Sequence, residues 1–319
     1  MVSLGRPCSL RRSRSLRRGK SHLLAGAVIG LLLAAPLLAA DEPLRWKWSA
    51  GQSLRATWKQ RVETETAIGE KPLRLLIDST FVQDWQVAEV EPSGVARVQQ
   101  SFRRLAVRLE MPPAEPLDYD TTRDTEPTGE LRPLAAALSP LVGPSWTVRL
   151  TPRGEVLDVT PSPQLQEALK KVAADGRLQG LFAGATGADF LRRSLVVLPE
   201  QPLQEGVSWQ VQSPVESPVG RVTIQSTYTG RGTEKRGTAE LTVIESTGTL
   251  EWQPAAGGQA RNRRITDQSC RGQLLFDSAA GRLVESQQKQ TLKSESRVRE
   301  QLLEVRLTSE VRLMLEPAE

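Results

Sequence analysis

Hydrophobic and polar residues alternate with a two-residue period along most of the chain, which is typical of strands with one buried face. Near the carboxyl end, apolar positions from Leu303 to Leu313 fall on one face, and charged or hydroxyl side chains fall on the other. The same alternation begins at Leu54 and again at Leu73. A helical period would not bury these positions together. The pattern therefore predicts antiparallel strands with one wet face.

Shorter alternating runs predict further strands and one irregularity. The additional predicted strands are Trp146–Leu150, Glu155–Val159, Ser208–Val211, Arg221–Tyr228, Ala239–Ile244, Gln273–Phe276 and Arg282–Glu285. After a turn at Glu91 to Gly94, the apolar positions change from even numbers at Phe102 to odd numbers at Leu105. A strand can change phase in this way only at an extra residue. We therefore predict a β-bulge near Arg103 and Arg104 that bends the sheet.

Helical periodicity is confined to the middle of the chain. Ser162 and Pro163 form a typical helix start, and an apolar stripe with helical spacing follows as far as Val172. A second helix is predicted at Ala188–Leu195. Prolines on both sides limit any helix around Leu134 to a turn or two.

These elements predict an α+β chain that is mainly β, with curved antiparallel sheet or sheets and short central helices. We divide the chain into an export signal at 1–40, an N-terminal antiparallel β unit at 41–161, a helical segment at 162–199, and a C-terminal antiparallel β unit at 200–319 that packs with the first. The strand–turn–strand segments Trp146–Val159 and Gly272–Ser286 resemble each other. Either the β units are a duplicated half-barrel unit, or the likeness is only that of one hairpin to another.

The first forty residues have the composition of an export signal. A basic stretch ends at His22, and 18 uncharged residues follow from Leu23 to Ala40, closing on two alanines. Basic, apolar and small is the order of a secretory signal, so we predict cleavage after Ala40 and an exported, periplasmic or extracellular protein. An uncleaved membrane anchor is the alternative, because 18 apolar residues lie at the lower limit for spanning a bilayer.

Removing the signal reverses the balance of charge. Residues 1–40 hold seven of the 42 basic residues and none of the 37 acidic ones, so 35 basic residues stand against 37 acidic ones in the rest of the chain. A nucleic-acid-binding protein is expected to keep a positive footprint. Nucleic acid is therefore not a predicted partner, and no cofactor is predicted.

The signal also holds residues on which much catalysis depends. The one histidine is His22, and Cys270 is the one cysteine outside residues 1–40. Histidine triads, a histidine general base and a closed zinc site are therefore excluded for residues 41–319, and no disulfide can form within them. We expect a protein that is not an enzyme. Paired carboxylates could still hydrolyse glycosides without histidine, which keeps a hydrolase among the alternatives.

One acidic loop has ligands suited to a metal ion. Asp118, Asp120 and Asp124 supply the carboxylate oxygens that calcium prefers. An EF-hand loop would need glycine and glutamate where Arg123 and Gly129 stand, so the match fails. The prediction is a solvated loop and no metal, with an irregular calcium site as the alternative.

Four segments carry a resemblance to a known family. They are Leu44–Trp48 followed by Gly51, Arg153–Leu157, Gly206–Trp209, and Gly272–Leu283. In these strand and turn patterns the chain resembles an uncharacterised family of exported bacterial β-rich proteins. The resemblance implies export and a β-rich fold, and it supplies no catalytic residue.

Together these observations favour an exported, non-enzymatic binding protein of the cell envelope. We expect the helices to cover the concave side of the sheet and to leave an apolar cleft for a lipid or another apolar ligand. The aromatic residues expected to line the cleft are Trp46, Trp48, Trp58, Phe81 and Trp85. Ordinary core packing is their alternative role. The rival functions are a structural or protein-interaction protein with a filled core and, third, a histidine-independent hydrolase.

Overall fold

The computed structural model describes residues 42–318 except 69–70, 125, 175–194, 218–219, 255–263 and 299–300. Within this part of the chain, twelve antiparallel strands form one curved, unclosed sheet accompanied by two short helices. The predicted fold class, mainly β with a curved antiparallel sheet, is confirmed. The predicted export signal, and the predicted second helix apart from Leu195, lie outside the described residues.

Nine of these twelve strands have ten or more residues, and most strands pair with the next one along the chain. The strands are β1 (Ser53–Ile68), β2 (Lys71–Val90), β3 (Ala96–Glu110), β4 (Leu117–Asp120), β5 (Ser145–Leu150), β6 (Val156–Pro161), β7 (Ser208–Ser217), β8 (Gly220–Arg236), β9 (Ala239–Pro254), β10 (Arg264–Asp277), β11 (Arg282–Val298) and β12 (Gln301–Pro317). The helices are α1 (Leu131–Leu138), which continues into a 3-10 turn at Ser139–Leu141, and α2 (Pro163–Ala174). Within the described residues, no helix is long and apolar enough to cross a membrane.

The first and last strands meet in the middle of the sheet. The spatial order is β6-β5-β3-β2-β1-β12-β11-β10-β9-β8-β7, and β4 pairs with the second part of β3. Strand β1 pairs with β12 from Leu54 opposite Pro317 to Ile68 opposite Leu303. The chain between β6 and β7 therefore connects opposite edges of one sheet, and it contains α2.

The two faces of the sheet have opposite character. Side chains that stand directly opposite each other on neighbouring strands share a face. We call the face with Trp58 and Leu313 the inner face, and the face with Lys59 and Arg312 the outer face. The helices lie on the inner face, because Leu134 of α1 belongs to the same buried cluster as Trp58.

Local sequence explains where the helices begin and where β3 bends. The hydroxyl of Ser162 accepts a hydrogen bond from the Leu165 N–H at 3.3 Å, which satisfies one free donor of the first turn of α2. In β3, Arg104 pairs with Val82 but Phe102 pairs with Gln83, so Arg103 is the extra residue. The predicted helix start and the predicted β-bulge are both confirmed.

The segment before β1 joins two distant turns at one end of the sheet. The Trp46 N–H donates to the Pro152 carbonyl at 2.7 Å, in the turn between β5 and β6. The Lys47 N–H donates to the Gly281 carbonyl at 2.8 Å, in the turn between β10 and β11. Gly154 has φ +87°, and a Cβ there would lie 2.5 Å from the Val196 carbonyl oxygen. These contacts hold the curled sheet close around its inner face at this end.

Strands β10 and β11 are much longer than the sequence pattern predicted. The predicted spans were Gln273–Phe276 and Arg282–Glu285, whereas the observed strands are Arg264–Asp277 and Arg282–Val298. Beyond the predicted ends, many inner positions are glutamine or serine, such as Gln288. The alternation of apolar and polar residues therefore fades while the hydrogen-bonded ladder continues.

Candidate functional site

One half of the inner face is completely buried, and we call it the filled region. The row of opposite residues through its middle is at most 4% exposed: Leu105, Phe81, Trp58, Leu313, Ser286, Leu274 and Ile244. Leu134, Leu138 and Leu165 of the two helices are also at most 1% exposed and belong to the same cluster. The filled region is therefore a packed core between the sheet and its helices.

The other half of the inner face is only half-buried, and we call it the open region. Beyond the row through Gln60 and Val311, it contains three successive rows of opposite residues. They are Val62, Ser309, Gln290, Cys270, Gly248, Ser226 and Val211 in the first row, Leu75, Thr64, Leu307, Leu292 and Gln268 in the second, and Leu73, Thr66 and Val305 in the third. All of these are half-buried except Leu73, which is 50% exposed. The first and third rows also contain buried members, Ile77 opposite Val62 at 4% exposed and Ser294 opposite Val305 at 5% exposed.

None of these open-region side chains is charged, although the opposite side of the same strands is highly charged. On the outer face, Arg61 pairs with Asp78 at 3.1 Å and Lys289 pairs with Glu310 at 2.6 Å. A sheet face that only meets water usually takes charged residues, as the outer face does. The open region instead combines partly exposed aliphatic groups with hydroxyl and amide groups.

The sheet separates locally within the open region. Pairing between β9 and β10 stops at Gly248 opposite Cys270, although both strands continue. Gln268 bridges the gap: its Oε1 accepts from the Leu250 N–H at 2.7 Å, and its Nε2 donates to the Leu250 carbonyl at 3.2 Å. Next to this split, Trp252 lies on the inner face opposite Val222 and is half-buried.

The predicted aromatic set lies in the filled region and in the segment that closes it. Trp46, Trp58, Phe81 and Trp85 are at most 2% exposed, and Trp48 is half-buried. The Trp46 and Trp48 rings stack with centroids 5.0 Å apart. The structure thus brings Trp58, Phe81 and Trp85 together in the packed core. Their role in ligand binding stays a prediction.

Two buried glutamines that the sequence analysis did not single out fix the orientation of three tryptophans. Gln83 Oε1 accepts hydrogen bonds from the indole N–H groups of Trp58 at 3.3 Å and Trp85 at 3.1 Å. Gln100 Oε1 accepts one from Trp146 at 2.7 Å. Both glutamines are 0% exposed. A glutamine at a strand position whose neighbours are aromatic is the signal that could have identified them.

The three aspartates of the acidic loop have arginine partners. Arg104 donates to both carboxylate oxygens of Asp120, and Arg123 pairs with Asp118 at 3.0 Å and with Asp124 at 2.7 Å. Burial disfavours ionisation of Asp120, but hydrogen bonds from Arg104 and Thr122 outweigh it and lower the pKa of Asp120 to about 2. Among the described residues, no group of three or more acidic, histidine or cysteine side chains is arranged to hold a metal ion.

A cavity of about 810 Å³ lies on the outer face, opposite the inner face just described. Its walls come from β1, β2, β3, β4, β10, β11 and β12. The outward side chains include six basic residues and three acidic ones, along with threonine and glutamine. The molecule therefore offers two chemically different surfaces, a charge-free inner one and a basic outer one.

Comparisons with known proteins give a family and a fold. A family described as "Family of unknown function (DUF6263)" matches residues 93–281. A lipovitellin structure, titled for its lipid–protein interactions, has 13% sequence identity and a TM-score of 0.50, and the match covers 85% of this chain and 26% of that chain. An outer membrane channel from Pseudomonas putida F1 has 8% identity and a TM-score of 0.25, and the match covers 86% of this chain and 99% of that chain. No curated protein matches the sequence.

The likeness to lipovitellin shows a shared fold and nothing more, because the sequence identity is low. This chain spans about a quarter of the length of lipovitellin.

Proposed function

We propose that the open region of this chain, which belongs to the family of unknown function DUF6263, binds the acyl chain of a lipid or a similar apolar ligand. The membership agrees with the resemblance found in the sequence. Because the family has no assigned activity, the proposal is argued from the geometry of this chain.

The observation that carries the proposal is a half-buried inner face without charged side chains. Leu75, Leu307 and Leu292 lie in a single row across the sheet with Thr64 between the first two, and Val305 and Leu73 extend the apolar surface along the strands. Partly exposed apolar surface gains about 25 cal/mol for each Å² that a ligand removes from water. An acyl chain gains about 0.8 kcal/mol for each methylene it buries. A flexible apolar chain therefore suits this surface.

The uncharged polar groups of the open region suit an amphipathic ligand. Thr64, Ser309 and Gln290 place hydroxyl and amide groups among the aliphatic side chains. Ligand sites that are mostly apolar commonly use a few such groups to orient the ligand. A lipid carries ester, amide or hydroxyl groups near its apolar chain, and these groups could form hydrogen bonds here.

The fold is also that of a protein known for binding to lipid. Lipovitellin, whose structure was described for its lipid–protein interactions, shares the fold over 85% of this chain. Because residues 1–40 have the pattern of an export signal, we propose that this activity belongs to the cell envelope, in the periplasmic or extracellular space. We propose binding without catalysis, because His22 is the one histidine of the chain and lies within that signal pattern.

The test uses Trp252 as a reporter on the inner face beside the open region. The full chain, freed of lipid, is titrated with a fatty acid brominated in the middle of its chain, since bromine quenches tryptophan emission on contact. We expect saturable quenching that the Trp252→Phe variant loses. Trp48→Phe is the matched control, because Trp48 is also half-buried but lies before β1. It should leave the quenching intact.

Two other results of this titration would refute the proposal. Loss of quenching in Trp48→Phe but not in Trp252→Phe would place the ligand near the aromatic set that the sequence predicted, and it would refute the open region as the site. Absence of saturable quenching would refute apolar binding altogether and favour an envelope protein that binds other proteins.

A further inference from the structure

The basic cavity on the outer face is a second site that the proposed function does not use. Its residues point away from the open region, because neighbouring residues of a strand point to opposite faces. Six basic side chains and three acidic ones line it, an excess of three positive charges. A volume of about 810 Å³ lies in the range of small-molecule sites.

In one row across this cavity, most of the charged side chains form ion pairs with each other. Arg108 lies 4.0 Å from Asp118, and two shorter ion pairs join Arg61 to Asp78 and Lys289 to Glu310. Alternating signs on opposite strands are favourable. This row therefore needs no external ion, with the exception of Arg271 at its end, which makes no ion pair among the described residues.

The adjacent row of cavity residues carries two positive charges and no negative one. Lys59 stands directly opposite Arg312, and the residues that flank this pair on the next strands are Thr80 and Gln287. Like charges directly opposite each other destabilise a sheet. In the described part of the chain Lys59 makes no ion pair, and the nearby carboxylates Asp78 and Glu310 are bound by Arg61 and Lys289.

The single carboxylate beside Arg312 is shared. Glu285 is 5% exposed, and it accepts hydrogen bonds from Arg312 at 2.8 Å and from Arg236 at 2.7 Å. Arg236 also pairs with Glu234 at 2.8 Å, so Glu285 compensates Arg312, whereas Lys59 has no carboxylate partner among the described residues. The surroundings of Lys59 and Arg312 consequently carry one uncompensated positive charge, that of Lys59, beside the hydroxyl of Thr80; the Gln287 amide already donates to Glu285.

We propose that this cavity binds a phosphate or sulfate group carried by a polar ligand, with Lys59 and Arg312 as its charged contacts. An oxyanion between the two cations would supply the missing negative charge, and it would accept hydrogen bonds from Lys59 Nζ and the Thr80 hydroxyl. Arg312 is suited to such a group because guanidinium presents several donors in a fixed plane. The remaining volume would hold the polar body of the ligand.

Calorimetric titration of the full chain tests the site with four probes: inorganic phosphate, glucose 6-phosphate, uncharged glucose, and vesicles containing phosphatidic acid. We expect binding of at least one phosphate probe and none of glucose. In Lys59→Gln the affinity should fall about tenfold or more, since a hydrogen bond to a charged group is lost. Lys235→Gln, an exposed lysine on β8 outside the cavity, should bind as the parent does.

The probe that binds best identifies the source of the oxyanion. Equal binding of inorganic phosphate and the sugar phosphate indicates a free ion, preference for the sugar phosphate indicates a soluble ester, and binding to vesicles alone indicates a lipid headgroup. Failure of all three phosphate probes to bind, or binding that is unchanged in Lys59→Gln, overturns the proposal.

A second pair of variants separates the site from a folding defect. Because Lys59 repels Arg312, Lys59→Gln should raise the melting temperature of the ligand-free protein by up to about 4 °C. Thr80→Glu should place a carboxylate opposite Lys59, and it should likewise raise that temperature while abolishing binding. A melting temperature that falls in both variants would contradict the charge conflict on which the proposal rests.

Discussion

The filled and open regions belong to the same strands, yet only one of them is a finished core. Trp58 and Val62 lie four residues apart on one face of β1, but Trp58 is 1% exposed and Val62 is half-buried. In the filled region, α1, α2 and indole groups held by glutamines occupy the space above the sheet. In the open region the same face is free of charge but incompletely covered. An identical strand pattern can therefore build either a core or a surface for a ligand.

The largest difference between the regions should appear when one side chain is truncated in each. Trp58→Ala leaves a cavity among fully buried neighbours, and it should lower the free energy of unfolding by about 3–5 kcal/mol. Val305→Ala in the open region should cost about 1 kcal/mol or less, because its site is already half-buried. Urea denaturation of the full chain measures both. Equal losses would mean that the open region is also a packed core.

Acid should lower the stability of the filled region, where β4 and the turn after α1 pack together. Asp120 ends β4 beside Tyr119, whose hydroxyl lies 2.6 Å from Ser139 Oγ in the turn after α1. Because the pKa of Asp120 is lowered to about 2 from an unfolded value near 3.9, its ion pair stabilises the fold fully above about pH 4. That stabilisation is lost as the pH falls towards 2.

The pH dependence has a direct control. Melting temperatures recorded between pH 5 and pH 2 should fall less steeply for Asp120→Asn than for the parent chain, and the variant should start from a lower value. Parallel curves for the two proteins would show that Asp120 does not supply the acid sensitivity.

A charge placed in the open region should block the ligand at a modest cost in stability. Leu307→Arg introduces the first cation on this part of the inner face, and it should abolish binding of the brominated fatty acid. The adjacent Thr308→Arg points to the outer face and should bind normally. Each variant should lose about 1–2 kcal/mol at most, since both positions are half-buried. Equal effects on binding would show that the two faces are not distinguished by the ligand.

The smallest expected effect is protection of the Cys270 thiol. This side chain lies in the open region, and burial raises the pKa of the thiol, so its reaction with maleimide should be slow at neutral pH and faster as the pH rises. Bound fatty acid should slow the reaction several-fold further. Mass spectrometry of the peptide with Cys270 measures the rate without interference from Cys8. An unchanged rate with saturating ligand would place the ligand elsewhere.

Much of the fold could be predicted from local patterns, because hairpins and bulges are local features. The change of phase between Phe102 and Leu105 was sufficient to predict a bulge near Arg103 and Arg104, and the extra residue is Arg103. The pairing of β1 with β12 joins residues more than 230 positions apart, and no local pattern contains it. The extensions of β10 and β11 escaped prediction because glutamine and serine interrupt the apolar period.

The candidate site was harder to predict than the fold. Large aromatic residues such as Trp58 were the obvious candidates for lining a cleft, but the same size and hydrophobicity suit a packed core. The open region is recognisable by the absence of charge across several strands. That property appears only when Thr64, Leu307 and Leu292 are seen side by side, and their register depends on the distant pairing.

Photo-crosslinking can show directly whether an apolar ligand binds to the open region or to the filled region. The full chain is incubated with a fatty acid that carries a diazirine in its chain, irradiated and digested, and the modified residues are found by mass spectrometry. We expect adducts on the open region, above all on Val62 to Thr66 of β1 and Leu303 to Val311 of β12, and their loss when unlabelled fatty acid competes. Adducts concentrated at Trp46 and Trp48, or on the outer face around Lys59, would contradict binding to the open region.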